Sequence, residues 1–383
     1  MSWDSKLLGE VVDLTQGFCI NKKSNHLVVD EGIPLLRITD MINSQQKIFI
    51  SPEIPKKFIA NKDDIIFTRT GQVGLVFRNQ YGIIHNNCFT VSPLNQELSK
   101  DYLYWFLRSE ETITKAKGLA AGAAQPDLNH GAFKSISITY PQSLQTQKRI
   151  ADILSAYDDL IENNLKRIKL LEQAAQNIYK EWFVNLRFPG HENTAINEET
   201  GLPVGWEEKM FNDVSVNNNR KRIPVNGTDR SKRQGNYRYY GATGVMDYID
   251  DYIFDGRFLL IAEDGTVYDK IGNAYTQLVQ GKFWVNNHAH IISAGSLPVE
   301  YLYLAMKHYP IGHLITGAVQ LKLSMKNLKR VEIINPSEEI LDQFMSIINP
   351  MINQVFILTA QNHKLKAARD ILLPRLMNRT IEV

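Results

Sequence analysis

The chain repeats itself once, and this confines it to folds built from two copies of one unit. Trp3 opens the stretch SWDSKLLGEV and Trp206 opens GWEEKMFNDV. Each half then carries an apolar run ending in glycine, DIIFTRTG at 64–71 and FLLIAEDG at 258–265. An asparagine pair follows, Asn86-Asn87 before Cys88 and Asn286-Asn287 before His288, and then Tyr102-Leu103-Tyr104 and Tyr301-Leu302-Tyr303. The best ungapped match starts at Gly122-Ala123-Ala124-Gln125 and Gly317-Ala318-Val319-Gln320 and runs to Pro141 and Pro336. Several matches in one order, at a period of roughly 195 to 203 residues, describe a duplicated domain-plus-helix unit, not a solenoid of short repeats.

With 383 residues the chain exceeds one ordinary core, in keeping with two domains. Lys and Arg number 43 against 41 Asp and Glu, so any basic surface must be local. The two cysteines, Cys19 and Cys88, form no CxxC pair, so neither a zinc site nor a disulfide framework is expected. No signal-like start and no apolar run of membrane-spanning length occurs, and the expectation is a soluble, cytoplasmic protein without a membrane partner.

A long helical segment follows each matched proline. In the first, two series at seven-residue spacing alternate offsets of four and three: Ile150, Tyr157, Asn164, Leu171, Ile178, and Leu154, Ile161, Ile168, Ala175, Trp182. That is the seam of a coiled coil. The second segment gives Phe344, Ile348, Met351, Val355, Leu358, Asn362, Leu365, Arg369, Leu372 and Leu376. Asn164 and Asn362 place one polar residue in each seam, a device that fixes register. Ser155 followed by Asp158 reads as a capping box that divides a short helix from a long one. Pro350 reads as the start of the second long helix and Pro374 as its end or a kink. Helices of about 28 residues would span about 42 Å. Seams of roughly five heptads exceed what one small domain covers, so the helices are expected to pair with each other, antiparallel. In the other reading, each covers its own domain.

The remaining segments mix short strand-like runs (47–50, 65–68, 136–140) with short helices near 102–108 and 301–307, an α+β pattern. The expected organisation is a first globular domain at 1–140, a first helical region at 141–185 and a polar, Gly/Pro-containing linker at 186–204. A second globular domain at 205–336 and a second helical region at 337–383 complete it.

The order of these pieces resembles a known family. PQSLQTQKRIADIL and the ENN-containing helix at 141–183, the GLPVGWEEK restart at 201–209, and in support the run at 64–71, are similar to specificity subunits of type I restriction-modification systems. The resemblance covers essentially the whole chain. It implies two target-recognition domains, each reading half of a bipartite, asymmetric double-stranded DNA sequence. It implies that the helices act as a spacer and dock two methyltransferase subunits, which restriction subunits can join. It also implies that S-adenosylmethionine belongs to the methyltransferase and that this chain binds no cofactor. The second half departs from the first in having Glu263-Asp264 where Arg69-Thr70 would stand.

DNA binding needs cations for phosphates and forked side chains for base edges. The candidates are the basic run Arg220, Lys221, Arg222, Arg230, Lys232, Arg233 and Arg238, interleaved with glycine and tyrosine, and in the first half Lys22-Lys23, Lys56, Lys57 and Arg69. A solvated charged face is the other reading of each. Arg69, Thr70 and Gln72 at a strand end are read either as base contacts or as a turn held by threonine hydroxyls. Gln125 and Gln320 follow small-residue loops that allow close backbone approach; shared architecture is the alternative there, and the asparagine pairs read as turns. His288 and His290 alternate along one strand without a third ligand, and no metal site is read. No nucleotide-binding loop or GxSxG elbow is present. The competing reading is a self-contained nuclease that uses carboxylates such as Asp63-Asp64 or Asp158-Asp159, and a weaker one is a coiled-coil scaffold without a DNA role.

Overall fold

The computed structural model describes residues 2–122, 124–317 and 319–383. Ala123 and Ala318, which belong to the matched glycine loops, lie outside the described residues. The chain forms two compact units, Met1–Glu162 with Asn362–Val383, and Asn163–Gln361.

In the first unit, strand Trp3–Leu7 pairs antiparallel with Ser137–Pro141 and so ties the two ends of the globular segment together. A four-stranded sheet follows the order Val12–Gln16, Cys88–Pro93, Ile65–Thr68, Val76–Phe77. The apolar run at 65–68 becomes a fully buried central strand, as its hydrophobicity requires. A second sheet holds five short strands, Val28–Val29, Phe49–Ile50, Ile33–Leu36, Gly82–Ile84 and Ile59–Ala60. Helix Lys100–Leu107 buries Tyr102, Leu103 and Trp105 against this core.

The second unit repeats the plan. Glu207–Met210 pairs antiparallel with Glu332–Asn335, and a six-stranded sheet runs Ser215–Asn217, Ala289–Ala294, Phe254–Ala262, Thr276–Val285, Tyr237–Tyr240, Val245–Ile249. The tyrosine matches are functional in packing: the Tyr102 hydroxyl donates to the Thr139 carbonyl and the Tyr301 hydroxyl to that of Ile334, both at 2.8 Å. The linker at 186–204 is anchored rather than loose. Phe188 packs on Trp206 with ring centroids 4.7 Å apart, and Ile196 bridges to Pro203.

The long helices run Leu144–Tyr179 and Glu338–Met377, 36 and 40 residues. At 1.5 Å per residue they reach about 54 and 60 Å, longer than the sequence suggested. Three expected breaks do not occur. The helix passes through Ser155 and Asp158 because both side chains are taken by tertiary partners: Ser155 accepts from the Trp105 indole N–H at 3.0 Å, and Asp158 accepts from Arg108 and Arg369. Pro350 lies inside the second helix. It faces solvent, as does Ser346, whose carbonyl loses its helical partner and is left to water. Pro374 does not end the helix, which runs to Met377.

The pairing is antiparallel within each unit. In the first unit Ile150 and Leu154 share a core with Leu373 and Leu376. In the second, Ala175, Tyr179 and Trp182 share one with Phe344, Ile348 and Ile352. Leu154, Ile161, Asn164, Leu358 and Asn362 are buried, and Ile168, Leu171, Met351, Val355 and Leu365 are half-buried. The two readings of the seam therefore both hold in part, since the helix ends cover domain cores while pairing with each other. The Phe344 ring lies 4.8 Å from that of Phe183 and 5.6 Å from that of Trp182.

Two stability tests follow from this packing. Phe344→Ala removes the centre of the aromatic cluster and is expected to cost about 3–5 kcal/mol in urea denaturation followed by tryptophan fluorescence. Pro350→Ala restores a helical hydrogen bond on an exposed face and is expected to raise stability by about 1–3 kcal/mol, against the usual sign for a helix substitution; an unchanged midpoint would show that the proline is accommodated at no cost.

Candidate nucleic-acid interface

In each unit, one end of the central buried strand meets a glycine loop, and the two junctions have the same backbone. In the first unit Arg69 accepts a hydrogen bond on its carbonyl from the Leu128 N–H at 2.9 Å, and Gly71 donates to Pro126 at 2.9 Å. Ala121 and Asp127 exchange two bonds of 3.0 and 2.8 Å that close the loop. In the second unit Glu263 accepts from Leu323 at 2.8 Å, Gly265 donates to Leu321 at 3.0 Å, and Thr316 and Lys322 exchange bonds of 2.9 and 2.8 Å. Gly122 and Gly317 are required here. Their φ angles are +98° and +93°, and a Cβ on either would press on the carbonyl oxygen of Gln125 or Gln320 at 2.8 or 2.2 Å. Gln125 and Gln320 are exposed on these loops, and Gln72 is exposed beside the first.

The side chains differ, and they differ as complementary pairs. Arg69 donates to Asp127 at 2.6 Å and to the Gln16 amide oxygen at 3.1 Å, while the Thr70 hydroxyl donates to the other Asp127 oxygen at 2.5 Å. These bonds, the Thr70 hydroxyl foremost, hold the Asp127 carboxyl below the usual carboxylate range. At the matching positions of the second unit stand Glu263 and Lys322, 3.4 Å apart. The ion pair is kept and its polarity is inverted. Burial alone would push the Glu263 carboxyl up; the Arg222 guanidinium at 2.8 Å, with Lys322, outweighs it and holds the group ionised. Asp264, in the place of Thr70, binds His288 at 2.5 Å. His290 is buried, with its Nε2–H on the Leu323 carbonyl at 2.7 Å and Nδ1 accepting from Asn219 at 2.9 Å.

The asparagine pairs are in register one residue apart. The Arg69 N–H binds the Asn87 carbonyl and the Glu263 N–H binds that of His288, so Asn87 corresponds to His288 rather than to Asn287.

The basic candidates separate into two classes. Arg222 is held by Glu263 and by the carbonyls of Asn287 and Ala289. Arg230 binds Asp247 at 2.7 Å over the Tyr239 ring, Arg233 binds Asp250 at 2.8 Å over Trp284, and Arg238 reaches the Tyr240 hydroxyl at 3.4 Å. These arginines, like Arg69 and Thr70, build the surface. Arg220, Lys221 and Lys232 are exposed and make no ion pair among the described residues. Arg222 ties Arg220 and Lys221 to the Glu263–Lys322 junction in the second unit. In the first unit, the exposed Lys56 and Lys57 directly precede Phe58, whose ring packs on Phe18 at 5.3 Å, two residues beyond Gln16. Sequence reasoning missed Gln16, Asp127, Asn219, Glu263 and Lys322. Of the carboxylates weighed for a nuclease metal, Asp64 is engaged by Lys100 at 2.9 Å and Asp158 by two arginines. Among the described residues no helix is long and apolar enough to cross a membrane.

Comparison with known proteins agrees with this duplicated plan. A family described as "Type I restriction modification DNA specificity domain" matches residues 1–173 and 203–367, one stretch per copy. The chain is 25% identical, over an alignment 402 positions long, to the type I restriction enzyme MjaIX specificity subunit of Methanocaldococcus jannaschii, across 98% of this chain and 92% of that one. It is 32% identical over 152 residues to a putative type I restriction enzyme specificity subunit, S.HindORF215P, of Haemophilus influenzae, across 39% and 38% of the two chains. The crystal structure of the type I restriction-modification S subunit from M. genitalium shares the fold, with a TM-score of 0.63 at 16% identity over 98% of this chain and 96% of that one. Two matched stretches, two units and two junctions with one backbone place the chain in the type I restriction-modification DNA specificity family.

Proposed function

We propose that each unit reads one half of a bipartite, asymmetric DNA target through its strand-end junction, and that the paired helices set the unread gap and dock two methyltransferase subunits. The observation that supports this most is the pair of junctions with one backbone and unlike side chains within a single chain. Equal backbones give two sites of the same reach, and unlike side chains give two different half-sites. Gln125 and Gln320 offer amides that match the adenine edge, with Gln72 beside the first. Arg220, Lys221, Lys232, Lys56 and Lys57 offer phosphate contacts that position the protein without specifying sequence. Arg69, Thr70, Arg222, Arg233 and Arg238 orient the surface. Catalysis is the work of the partners: the methyltransferase subunits hold the S-adenosylmethionine, and restriction subunits cleave where the system has them. This chain supplies recognition and binds no cofactor.

Two measurements on the assembled complex test the reading. Arg220→Ala and Lys221→Ala are each expected to weaken binding equally for all sequences and to lower the slope of log K against log salt by about 1. A change of target motif in either variant would move these residues from phosphate to base contact. Deleting one heptad from each long helix removes seven residues, about 10 Å of rise, and is expected to shorten the preferred gap by about three base pairs. An unchanged gap in a folded, active complex would remove the spacer role.

A further inference from the structure

The inverted ion pair assigns a chemical class of base to each junction, an inference that rests on the DNA-reading role proposed above. In both units the loop partner of the pair is the outer one. The Asp127 side chain is 42% exposed over an Arg69 that is 21% exposed, and the Lys322 side chain is 49% exposed over a Glu263 that is 15% exposed. Each loop thus presents one charged group to solvent, beside its exposed glutamine, fixed from below by the opposite charge. The outward sign is negative in the first unit and positive in the second.

A carboxylate facing a duplex has few roles open to it. It is repelled by phosphate and has no proton to donate, so its match in the major groove is an exocyclic amino group, cytosine N4 above all. Two of the Asp127 lone-pair sites are used by Arg69 and Thr70, one on each oxygen; a carboxylate has about four, so each oxygen keeps acceptor capacity. An ammonium donates only, and its base partner is the O6 and N7 edge of guanine. We propose that Asp127 reads a cytosine amino group in the half-site bound by the first unit, and that Lys322 reads a guanine in the half-site bound by the second. The same fold position then specifies opposite members of a G·C pair in the two halves of the target.

The test uses the complex of this chain with its methyltransferase partners. Methylated-base sequencing of DNA from cells carrying Asp127→Asn or Lys322→Gln reads the motif directly. The expected result is loss of discrimination at one base position, a cytosine for Asp127→Asn and a guanine for Lys322→Gln, with the opposite half-site unchanged. The unchanged half-site also reports that the variant is folded and assembled. If either variant fails to assemble, the wild-type complex is titrated with duplexes carrying 7-deazaguanine or N4-methylcytosine at single positions. A roughly ten-fold loss of affinity is expected at one guanine of the second half-site for the first analogue and at one cytosine of the first half-site for the second. Motifs that stay intact in both variants, or analogues without effect at every position, overturn the inference while leaving the DNA-reading role standing. Equal weakening on all sequences with a smaller salt slope also overturns it, since that is the signature of a phosphate contact. A wild-type complex with no bipartite target would instead remove the reading on which the inference rests.

Discussion

Helix ends that arrive from distant sequence close both cores, and the rest of the structure depends on that closure. Phe344 enters the second unit against Tyr179, Trp182 and Phe183, and Leu373 and Leu376 enter the first beside Ile150 and Leu154. Each fully buried side chain of this kind contributes on the order of 1.5–3 kcal/mol. No contiguous globular segment therefore holds a complete core of its own. Helix pairing and domain folding become one event. A slip of one heptad would shift one helix by about 10 Å and empty both cores, which ties the helical register to the stability of the domains.

The cohesion of this frame explains which parts of it are visible in a bare sequence. Duplication shows because residues that build the frame, such as Tyr102 and Tyr301 or Gly122 and Gly317, perform the same bond twice and stay alike. The seams show because their apolar spacing is set by helix geometry. The false breaks at Ser155 and Pro350 arise from the limits of local rules. A serine before an aspartate three residues on has the form of a cap, yet here Trp105 and two arginines from elsewhere claim both side chains. A proline breaks a helix where its lost hydrogen bond is buried; at Pro350 the loss faces water. In both places the tertiary setting decides, and the sequence window does not contain it.

The basic run at 220–238 shows a related limit. Counting cations cannot separate a guanidinium that meets phosphate from one already bound by Asp247, Asp250 or Glu263, because the acids lie 17 to 41 residues away in the chain. Within this run Arg222, Arg230 and Arg233 are each paired with an acid inside the second unit, while Arg220, Lys221 and Lys232 are exposed and make no ion pair among the described residues.

The junction itself was legible in one respect that a search for matches overlooks. Aligning the two halves puts Arg69 against Glu263 and Asp127 against Lys322, both apparent mismatches. Taken together they are a single exchange of sign in two residues that touch. A lone change at either position would have opposed like charges, Arg against Lys or Glu against Asp, or left a largely buried Glu263 without its lysine. Paired change keeps an ion pair under each loop, which backbone bonds close in both units, and reverses its outward charge. Departure from the repeat at these positions is therefore what a conserved clamp with a changed target looks like, and the absence of Arg-Thr in the second half is compatible with an equivalent role rather than a lost one.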